Sequence, residues 1–290
     1  MKLSYRNPKN AVAVAAYWGK SLDKPDWYEV KAQAGDTMEV FIFDVIGWPF
    51  TDISGLVRSM AAEKDKPILA RINSPGGDVF DGMSLFNAFA NHPGGVTVRI
   101  EGLAASMASI VAMGGRKIEA YQNTMFMIHN AWAVMVGDHN AMREGADILE
   151  KISGQMLEVY TGKTKSGKKD MKEMMDGETW LTAKEAEAKG FIDTVLTSGK
   201  AAKAAFDLSM FTHVPDEIQG EGNSHQILTG FDVERILKNG GAPKGFAKAV
   251  AAACRANGLF DRSQSDESAA LSECTAEVKK LTTLIGGLGK

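Results

Sequence analysis

The sequence predicts an α/β fold in which a largely parallel sheet is covered by helices. From residue 38 to residue 196, short apolar runs rich in Val, Ile and Phe alternate with segments whose apolar residues recur at helical spacing. This alternation is typical of strand–helix–strand units, whose strands lie parallel in one sheet. One longer segment, 139–160, carries an apolar stripe and predicts an extended amphipathic helix.

The strands are predicted from runs of β-branched and aromatic residues that stop at turn-forming residues. The run that ends at Ile72 leads into the turn 73–78, which contains Pro75, Gly76 and Gly77. The turn 92–95 separates a helical segment from the next run. We predict strands at residues 38–46, 67–72, 96–100, 117–120, 124–128 and 191–196.

Helices are predicted where apolar residues recur three and four positions apart between capping and stop signals. Ile53, Leu56 and Met60 follow this spacing behind a Thr51 or Asp52 cap, and the helix after Ser106 stops at Gly114. We predict helices at residues 51–62 and 80–91, after Ser106 up to the stop at Gly114, and at residues 139–160, 171–175 and 183–189.

The two ends of the chain differ from this central part. Residues 1–36 give no firm element, and the texture changes after about Thr197. Residues 220–224 have the composition of a linker. Short helices are candidates at residues 231–238, 246–256 and 269–284. We therefore divide the chain into an N-terminal segment, 1–37, a central domain, 38–197, and a small C-terminal extension, 198–290, that is mainly helical or disordered.

Composition and charge argue against several classes of protein. The chain is 44% hydrophobic and 24% charged, and its formal net charge of −3 gives no electrostatic reason to expect nucleic-acid binding. Cys254 and Cys274 are the only cysteines, which argues against a disulfide framework and fits a reducing cytosol. The best apolar run, 103–113, is too short to span a bilayer, and no secretory signal is visible. We expect a cytoplasmic protein without a membrane partner.

Cofactor chemistry has no convincing signal in the sequence. The Gly114-Gly115 and Gly240-Gly241 pairs lack the context of a phosphate loop or a dinucleotide fingerprint, and no metal-ligand spacing stands out. We therefore expect neither a metal nor a cofactor.

Ser106 is the first candidate for chemistry, because it lies among small residues where a strand turns into a helix. If that helix begins near Ala104, its free N–H groups and its dipole would favour an oxyanion beside Ser106. The alternative is an ordinary helix N-cap serine. Ser109, one turn later, is expected to pack or to bond the local backbone.

His129 is the candidate base, because it ends the apolar run 125–128 and should emerge at the carboxyl edge of a parallel sheet. A neutral histidine that accepts a hydrogen bond from Ser106 would act first as general base and then as general acid. The alternative is a structural histidine. The orienting carboxylate would be Asp176 or Glu178, although both also fit a solvated turn or a first helical turn.

The turn 73–78 is a candidate for part of an oxyanion hole. Gly76 and Gly77 permit unusual backbone angles after a buried strand. The N–H of Gly77 would then act together with that of Met107. An ordinary tight turn is the alternative, and from this stretch alone it is the better interpretation.

Taken in order, these motifs resemble the proteolytic subunit of the Clp protease, and most closely the Clp-like head maturation proteases of tailed bacteriophages and prophages. The likeness covers about residues 38–196. The matching segments are 71–82, 102–109, 127–130, 178–183 and 190–193. The resemblance implies a crotonase-like spiral of repeated strand–strand–helix units, with residues 139–160 as a protruding handle helix that packs rings or neighbouring subunits together.

The resemblance also implies a site and an activity. Ser106 would be the nucleophile, His129 the base, and the Gly77 and Met107 N–H groups the oxyanion hole. The third member in this family is usually an aspartate, and the alignment of the 178–183 segment favours Glu178 over Asp176. The implied protein is a serine endopeptidase, assembled as a homo-oligomeric ring, that cleaves scaffold or capsid precursors in host cytoplasm inside assembling phage heads.

Two departures limit what the resemblance carries. Residues 1–37 do not look like the axial loops that engage an unfoldase, so we expect no ATPase partner. The extension after Thr197 is absent from the housekeeping enzyme, and the protease itself is a candidate to remove it. Two other functions remain as alternatives, an acyl-CoA enzyme of the crotonase fold and a catalytically inactive ring-forming structural protein.

Overall fold

The structure is a computed structural model, and it describes residues 28–32, 36–47, 49, 53–133, 135, 138–197, 208 and 211–215. The chain divides into two compact units, Met1–Asn223 and Ser224–Lys290, and every described residue belongs to the first. The predicted linker at 220–224 and the three helices predicted beyond it lie outside the described residues.

A single eight-stranded sheet forms the centre of the first unit. Its strands run in the order β1-β2-β3-β4-β5-β8, and β6 and β7 branch from the far end of β4. The bounds are β1 Tyr28–Ala32, β2 Met38–Ile42, β3 Ile68–Ser74, β4 Val96–Ala105, β5 Lys117–Tyr121, β6 Met125–Ile128, β7 Thr179–Thr182 and β8 Thr194–Leu196.

The helices alternate with these strands along the chain. Their bounds are α1 Ile53–Ala62, α2 Val79–Ala90, α3 Met107–Met113, α4 His139–Lys163, α5 Lys168–Asp176 and α6 Ala183–Lys189. Together with the sheet they confirm the predicted α/β fold, a largely parallel sheet covered by helices.

Strand pairing is mainly parallel, as the strand–helix alternation predicts. The pairs β2–β3, β3–β4, β4–β5, β4–β6 and β5–β8 are parallel, whereas β1–β2 and β6–β7 are antiparallel. Strand β4 pairs with two neighbours in succession, with β5 along Thr97–Ile100 and with β6 along Leu103–Ala105. The branch at the end of β4 brings the carboxyl ends of β3, β4 and β6 together.

The ladder between β3 and β4 is interrupted just before this branch. The pairing steps from Ile72↔Ile100 to Ser74↔Ala104, so β4 carries extra residues there. The Leu103 N–H, which loses its ladder partner, donates to Oδ1 of Asn73 at 3.0 Å. A side chain therefore replaces a backbone acceptor where the sheet bends toward the site.

Several element predictions differ from the structure, and the strands predicted at 38–46 and 191–196 are shorter, Met38–Ile42 and Thr194–Leu196. The predicted strand 96–100 continues to Ala105, because Ala104 and Ala105 pair with Phe126 and Met127 of β6 and are fully buried. Tertiary pairing overrides the helix propensity of alanine here, so the helix begins at Met107 and not near Ala104. Strands β1 and β7 were not predicted, since each is short and lies in a polar context.

The core lies between the sheet and its helices, and α3 is its centre. Every residue of α3 is buried, which fixes the position of the Ser106 end of that helix. Helix α4 is different, because Met156 and Tyr160 near its end are buried whereas Met142 near its start is 39% exposed. Among the described residues, no helix has the length and apolar character needed to cross a membrane.

Candidate active site

Ser106 occupies the single residue between β4 and α3. Its backbone has φ 54° and ψ −126°, a conformation that residues other than glycine rarely adopt. Its N–H donates to the Met127 carbonyl at 3.0 Å. Although Ser106 stands at the N-cap position of α3, its side chain makes no capping hydrogen bond. The N-cap alternative therefore does not account for this serine.

His129 is the partner of the Ser106 side chain. Its Nε2 lies 2.7 Å from Ser106 Oγ, and the two residues are 7% and 9% exposed. The pairing of β4 with β6 explains the contact. Because Ala105 pairs in parallel with Met127, the residues that follow these two strand ends emerge side by side. The structure thus brings together the serine and the histidine that the sequence analysis selected.

The surroundings of His129 favour a neutral imidazole. Burial lowers the pKa of His129 below its ordinary value of 6.5, and the negative charge of Glu178 opposes this by raising it. A neutral imidazole can accept a proton at Nε2 from the Ser106 hydroxyl. Among the described residues, His129 Nδ1 has no hydrogen-bond acceptor, so the Glu178 carboxylate acts on the ring through its charge.

Glu178 reaches this position through the antiparallel ladder of β6 and β7. Ile128 pairs with Thr179, so continuing the register places Glu178 opposite His129. Glu178 has φ 47°, in the left-handed region. Its Oε1 accepts hydrogen bonds from the Trp180 Nε1–H at 3.3 Å and from the His213 backbone N–H at 2.6 Å.

Asp176, the alternative acid, lies on the surface and pairs elsewhere. Its carboxylate accepts from Lys172 Nζ at 2.7 Å and from Asn130 Nδ2 at 2.8 Å. These two hydrogen bonds lower the pKa of Asp176. The negative charge that raises the pKa of His129 is that of Glu178.

The glycine turn after β3 packs directly against Ser106. Gly76 has φ +106°, and a Cβ built on it would stand 2.7 Å from Ser106 Cβ and 3.0 Å from Met107 N. Gly77 has φ +150°, and a Cβ there would stand 2.1 Å from the Ile46 carbonyl oxygen. Both positions need glycine because backbone approaches on one side and φ is positive.

This turn and the start of α3 together leave two amide groups available. Within the described part of the chain, neither the Gly77 N–H nor the Met107 N–H donates a hydrogen bond. Met107 follows Ser106 directly, and Gly77 follows Gly76, the residue of the turn that packs against Ser106. Two free donors next to a nucleophile are what an oxyanion hole requires.

Beneath Ser106, Ser109 links the candidate nucleophile to helix α4. Its Oγ donates to the Ser106 carbonyl at 2.5 Å and lies 2.7 Å from the Tyr160 hydroxyl. The bond to the local backbone confirms the expectation for Ser109. The sequence analysis placed Tyr160 on the stripe of α4 but did not predict this contact. Burial raises the pKa of Tyr160, so its hydroxyl remains a neutral donor.

The sequence analysis missed one contribution to the site entirely. Leu208 and Phe211, which lie beyond the predicted central domain, are buried against the strand ends. The Phe211 ring packs against His129 with centroids 5.7 Å apart and an interplanar angle of 70°. The sequence around Phe211 does carry a short apolar run, Phe206, Leu208, Met210 and Phe211, but nothing in that run indicated which surface it would cover.

A buried serine–histidine pair at a strand–helix junction, with two free amides beside it, is the arrangement of serine hydrolases. Comparison with known proteins narrows this class. The family model described as Clp protease matches residues 23–199, which is more than half of the chain. The chain therefore belongs to the Clp protease family, a family of peptidases.

Curated relatives agree with the family match. The chain is 30% identical to the ATP-dependent Clp protease proteolytic subunit 1 of Protochlamydia amoebophila over 172 residues, which cover 56% of this chain and 82% of the relative. It is 31% identical to proteolytic subunit 3 of Rhodococcus jostii over 147 residues, covering 50% and 73%. A proteolytic subunit from Oltmannsiellopsis viridis is 31% identical over 140 residues, covering 48% and 72%.

Proposed function

We propose that this chain is a serine endopeptidase in which Ser106 is the nucleophile and His129 the general base. The observation that carries the proposal is the 2.7 Å contact between Ser106 Oγ and His129 Nε2, made by a serine held at φ 54°. Strained backbone at a reactive side chain is typical of functional sites, because the surrounding fold must hold it.

Acylation follows from the contacts around Ser106. The neutral imidazole of His129 accepts the hydroxyl proton as Oγ attacks the carbonyl carbon of the scissile peptide bond. The negative charge that develops on the carbonyl oxygen is stabilised by the N–H groups of Gly77 and Met107. Protonated His129 then gives its proton to the leaving amine, and the acyl group stays on Ser106.

Deacylation reuses the same groups. His129 removes a proton from a water molecule, whose oxygen attacks the acyl carbon, and the imidazolium then returns that proton to Ser106 Oγ as the bond between the acyl carbon and Oγ breaks. In both steps the imidazolium is stabilised by a nearby negative charge. We assign this role to Glu178, because its charge raises the pKa of His129 while Asp176 pairs with Lys172 and Asn130 on the surface. The described contacts contain no hydrogen bond between Glu178 and His129, and catalytic hydrogen bonds often tighten only when substrate binds.

The proposed substrate is a protein chain, and the proposed assembly is a ring of identical subunits. Support comes from the membership of a peptidase family and from the motifs that resemble phage head maturation proteases. On this basis we propose that the protein processes scaffold or capsid precursors during phage head assembly, in the host cytoplasm. No specific observation favours the acyl-CoA enzyme or the inactive structural protein.

The test is co-expression with a candidate scaffold or capsid precursor, with and without Ser106→Ala, followed by mass spectrometry of every product. We expect cleaved precursor with the native chain and intact precursor with the variant, while the variant keeps the same fold and assembly. Labelling of Ser106 by a fluorophosphonate should accompany activity. Unchanged processing by Ser106→Ala would rule out the mechanism, and thioester turnover without labelling would favour the acyl-CoA enzyme.

A further inference from the structure

A short piece of the C-terminal extension lies on the active site, and we call it the tail strap: Leu208 and residues 211–215. It covers the face of the sheet opposite α3. Side chains alternate along a strand, so Ala104 and Phe126 face the main core, whereas Leu103, Ala105 and Met127 form a second apolar cluster with Leu208 and Phe211. Leu208 is 5% exposed and Phe211 is 7% exposed.

Within this strap, Phe211 touches the candidate base itself. Its ring meets the His129 imidazole at a centroid distance of 5.7 Å and meets the Trp180 indole at 5.5 Å, nearly perpendicular in both cases. Perpendicular aromatic packing at these distances is attractive and sets the orientation of the rings. The contact therefore limits the rotation of the imidazole and keeps water away from one side of it.

The backbone of the strap touches the candidate acid. The His213 N–H donates to Glu178 Oε1 at 2.6 Å, and the Trp180 indole N–H donates to the same oxygen at 3.3 Å. A backbone amide bound to a carboxylate is a charge-assisted hydrogen bond, which is among the stronger kinds. Both donors bind Oε1, so they fix the orientation of the carboxylate whose charge acts on His129.

The contacts to His129 and to Glu178 both come from a segment outside the region that matches the Clp protease family. The match to the Clp protease family ends at residue 199, and the tail strap begins at Leu208. If the tail strap only covered the second apolar cluster, the burial of Leu208 and Phe211 would be sufficient for that role. The hydrogen bond to Glu178 and the ring contact with His129 are additional, and both are specific to the proposed catalytic groups.

We propose that two residues of the tail strap contribute to the active site, with Phe211 as a positioning residue for His129 and the His213 amide as a positioning donor for Glu178. This proposal rests on the proposed function, because the strap acts only through the histidine and the carboxylate assigned there. Removal of either contact should leave peptide binding nearly unchanged and slow the chemical step.

The first test compares Phe211→Ala with Leu208→Ala in the full-length protein. Both variants delete a buried side chain of the second cluster, and both should lower Tm, but only Phe211 contacts His129. Misplaced catalytic groups can cost about a hundredfold in rate. We expect Phe211→Ala to lower kcat on a fluorogenic peptide by at least about tenfold with little change in KM. Leu208→Ala should lower Tm without lowering kcat.

The second test separates the His213 amide from its side chain. His213→Pro removes the N–H that donates to Glu178, whereas His213→Ala keeps it. We expect kcat of the proline variant to lie about tenfold or more below that of the alanine variant. Equal kcat values for the two variants would overturn the proposal. A higher kcat for His213→Pro would overturn it as well, because the strap would then restrain the site.

A third readout needs no turnover and therefore distinguishes the two proposals. In an NMR titration of the histidine rings, with His129→Gln for assignment, Phe211→Ala should move the His129 pKa up toward its ordinary value because it exposes the ring. The groups that act on this titration are the Ser106 hydroxyl and the Glu178 carboxylate. An unchanged His129 pKa in Phe211→Ala would overturn the proposed role of Phe211. Absent fluorophosphonate labelling of the native chain would instead contradict the proposed function.

Discussion

At the scale of single residues, the site depends on a serine in an unusual backbone conformation. Ser106 has φ 54°, and a non-glycine residue in such a sparsely populated region costs about 1–3 kcal/mol. Contacts with three other residues hold it there. The Ser106 N–H donates to the Met127 carbonyl, the Ser106 carbonyl accepts from Ser109 Oγ, and Ser106 Oγ pairs with His129 Nε2. The conformation directs Oγ to the imidazole and away from the helix N-terminus that a capping serine would serve.

The titration of His129 gives a prediction at this scale. Its pKa is lowered by burial and raised by Glu178, with burial dominant, so the acid limb of kcat/KM should lie below pH 6.5. The base must be neutral, so activity falls as pH decreases through the pKa of His129. Glu178→Gln removes the charge that favours the protonated ring, so it should move the limb to lower pH.

The same variant should lower kcat by about a hundredfold or more, because the imidazolium formed during catalysis loses its stabilising charge. Asp176→Asn is the matched control, and we expect it to leave the position of the limb unchanged. The measurement is kcat/KM on a peptide substrate from pH 5 to pH 9. If the acid limb of the kcat/KM profile moved with Asp176→Asn and not with Glu178→Gln, Asp176 and not Glu178 would be the carboxylate that acts on His129.

At the scale of elements, the site is built where three parallel strands end. The turn after β3 supplies Gly76 and Gly77, the end of β4 supplies Ser106, and the end of β6 supplies His129. The ends meet because β4 pairs with β3 on one side and with β6 on the other. Parallel sheets collect functional groups at their carboxyl edge for this reason.

Gly76 gives a prediction about the fit between two of these elements. Gly76→Ala would place a methyl group 2.7 Å from Ser106 Cβ at φ +106°, so the turn must move away from Ser106 and Met107. We expect an activity loss of about a hundredfold and a destabilisation of about 1–3 kcal/mol. Fluorophosphonate labelling and urea unfolding measure the two effects.

The matched control for this change is Gly154→Ala in α4. A Cβ at Gly154 meets nothing within 4 Å, so this variant should keep activity and gain up to about 1 kcal/mol from the higher helix propensity of alanine. If Gly76→Ala were as active as Gly154→Ala, the close approach of the turn to Ser106 would have no functional role.

The hydrogen-bonded link between α3 and α4 gives a second prediction at this scale. Ser109→Ala leaves the buried Tyr160 hydroxyl without its partner and removes a donor from the Ser106 carbonyl. We expect a loss of about 1–3 kcal/mol in the free energy of unfolding. Tyr160→Phe should cost less, since Ser109 Oγ keeps its bond to Ser106.

A double-mutant cycle in urea isolates the coupling between Ser109 and Tyr160, which should be positive and about 0.5 kcal/mol or more. Ser59→Ala serves as the control, because its Oγ bonds the Gly55 carbonyl on the exposed face of α1 and should contribute little. Additive effects of the two changes would contradict a direct link between the helices.

The sequence carried most of the information about these elements and about two of the site residues. The β3 and β6 runs, α2, α3 and the positions of Ser106 and His129 are all readable, because each follows a local pattern that burial reinforces. What was missed depends on pairing between distant segments. Strand β7 is short and amphipathic, and Ala104 and Ala105 are extended only because β6 lies beside them. Phe211 docks from a short apolar run whose sequence does not indicate the surface that it covers.

At the scale of the whole molecule, the described part of the chain is asymmetric. The sheet, α3 and the buried end of α4 form one continuous core, while the first half of α4 extends beyond it. Met142 is 39% exposed on that half, and Ala146 is exposed beside it. Apolar side chains on a helix that projects from its own core are typical of a surface that is covered in an assembly.

This asymmetry gives the last prediction, which follows from the proposed ring. Met142→Asp places a charge on the projecting half of α4, so it should dissociate the assembly without unfolding the subunit, because Met142 lies outside the core. The control is Ala188→Asp on the exposed face of α6, which introduces the same charge away from α4 and should leave the assembly intact. Analytical ultracentrifugation gives the mass of each species, and thermal unfolding checks the fold. Because Tyr160 on the same helix bonds Ser109 beneath Ser106, loss of the assembly should also lower fluorophosphonate labelling. A native chain that sediments as a monomer, or a Met142→Asp variant that sediments with the native mass, would exclude α4 as the assembly surface.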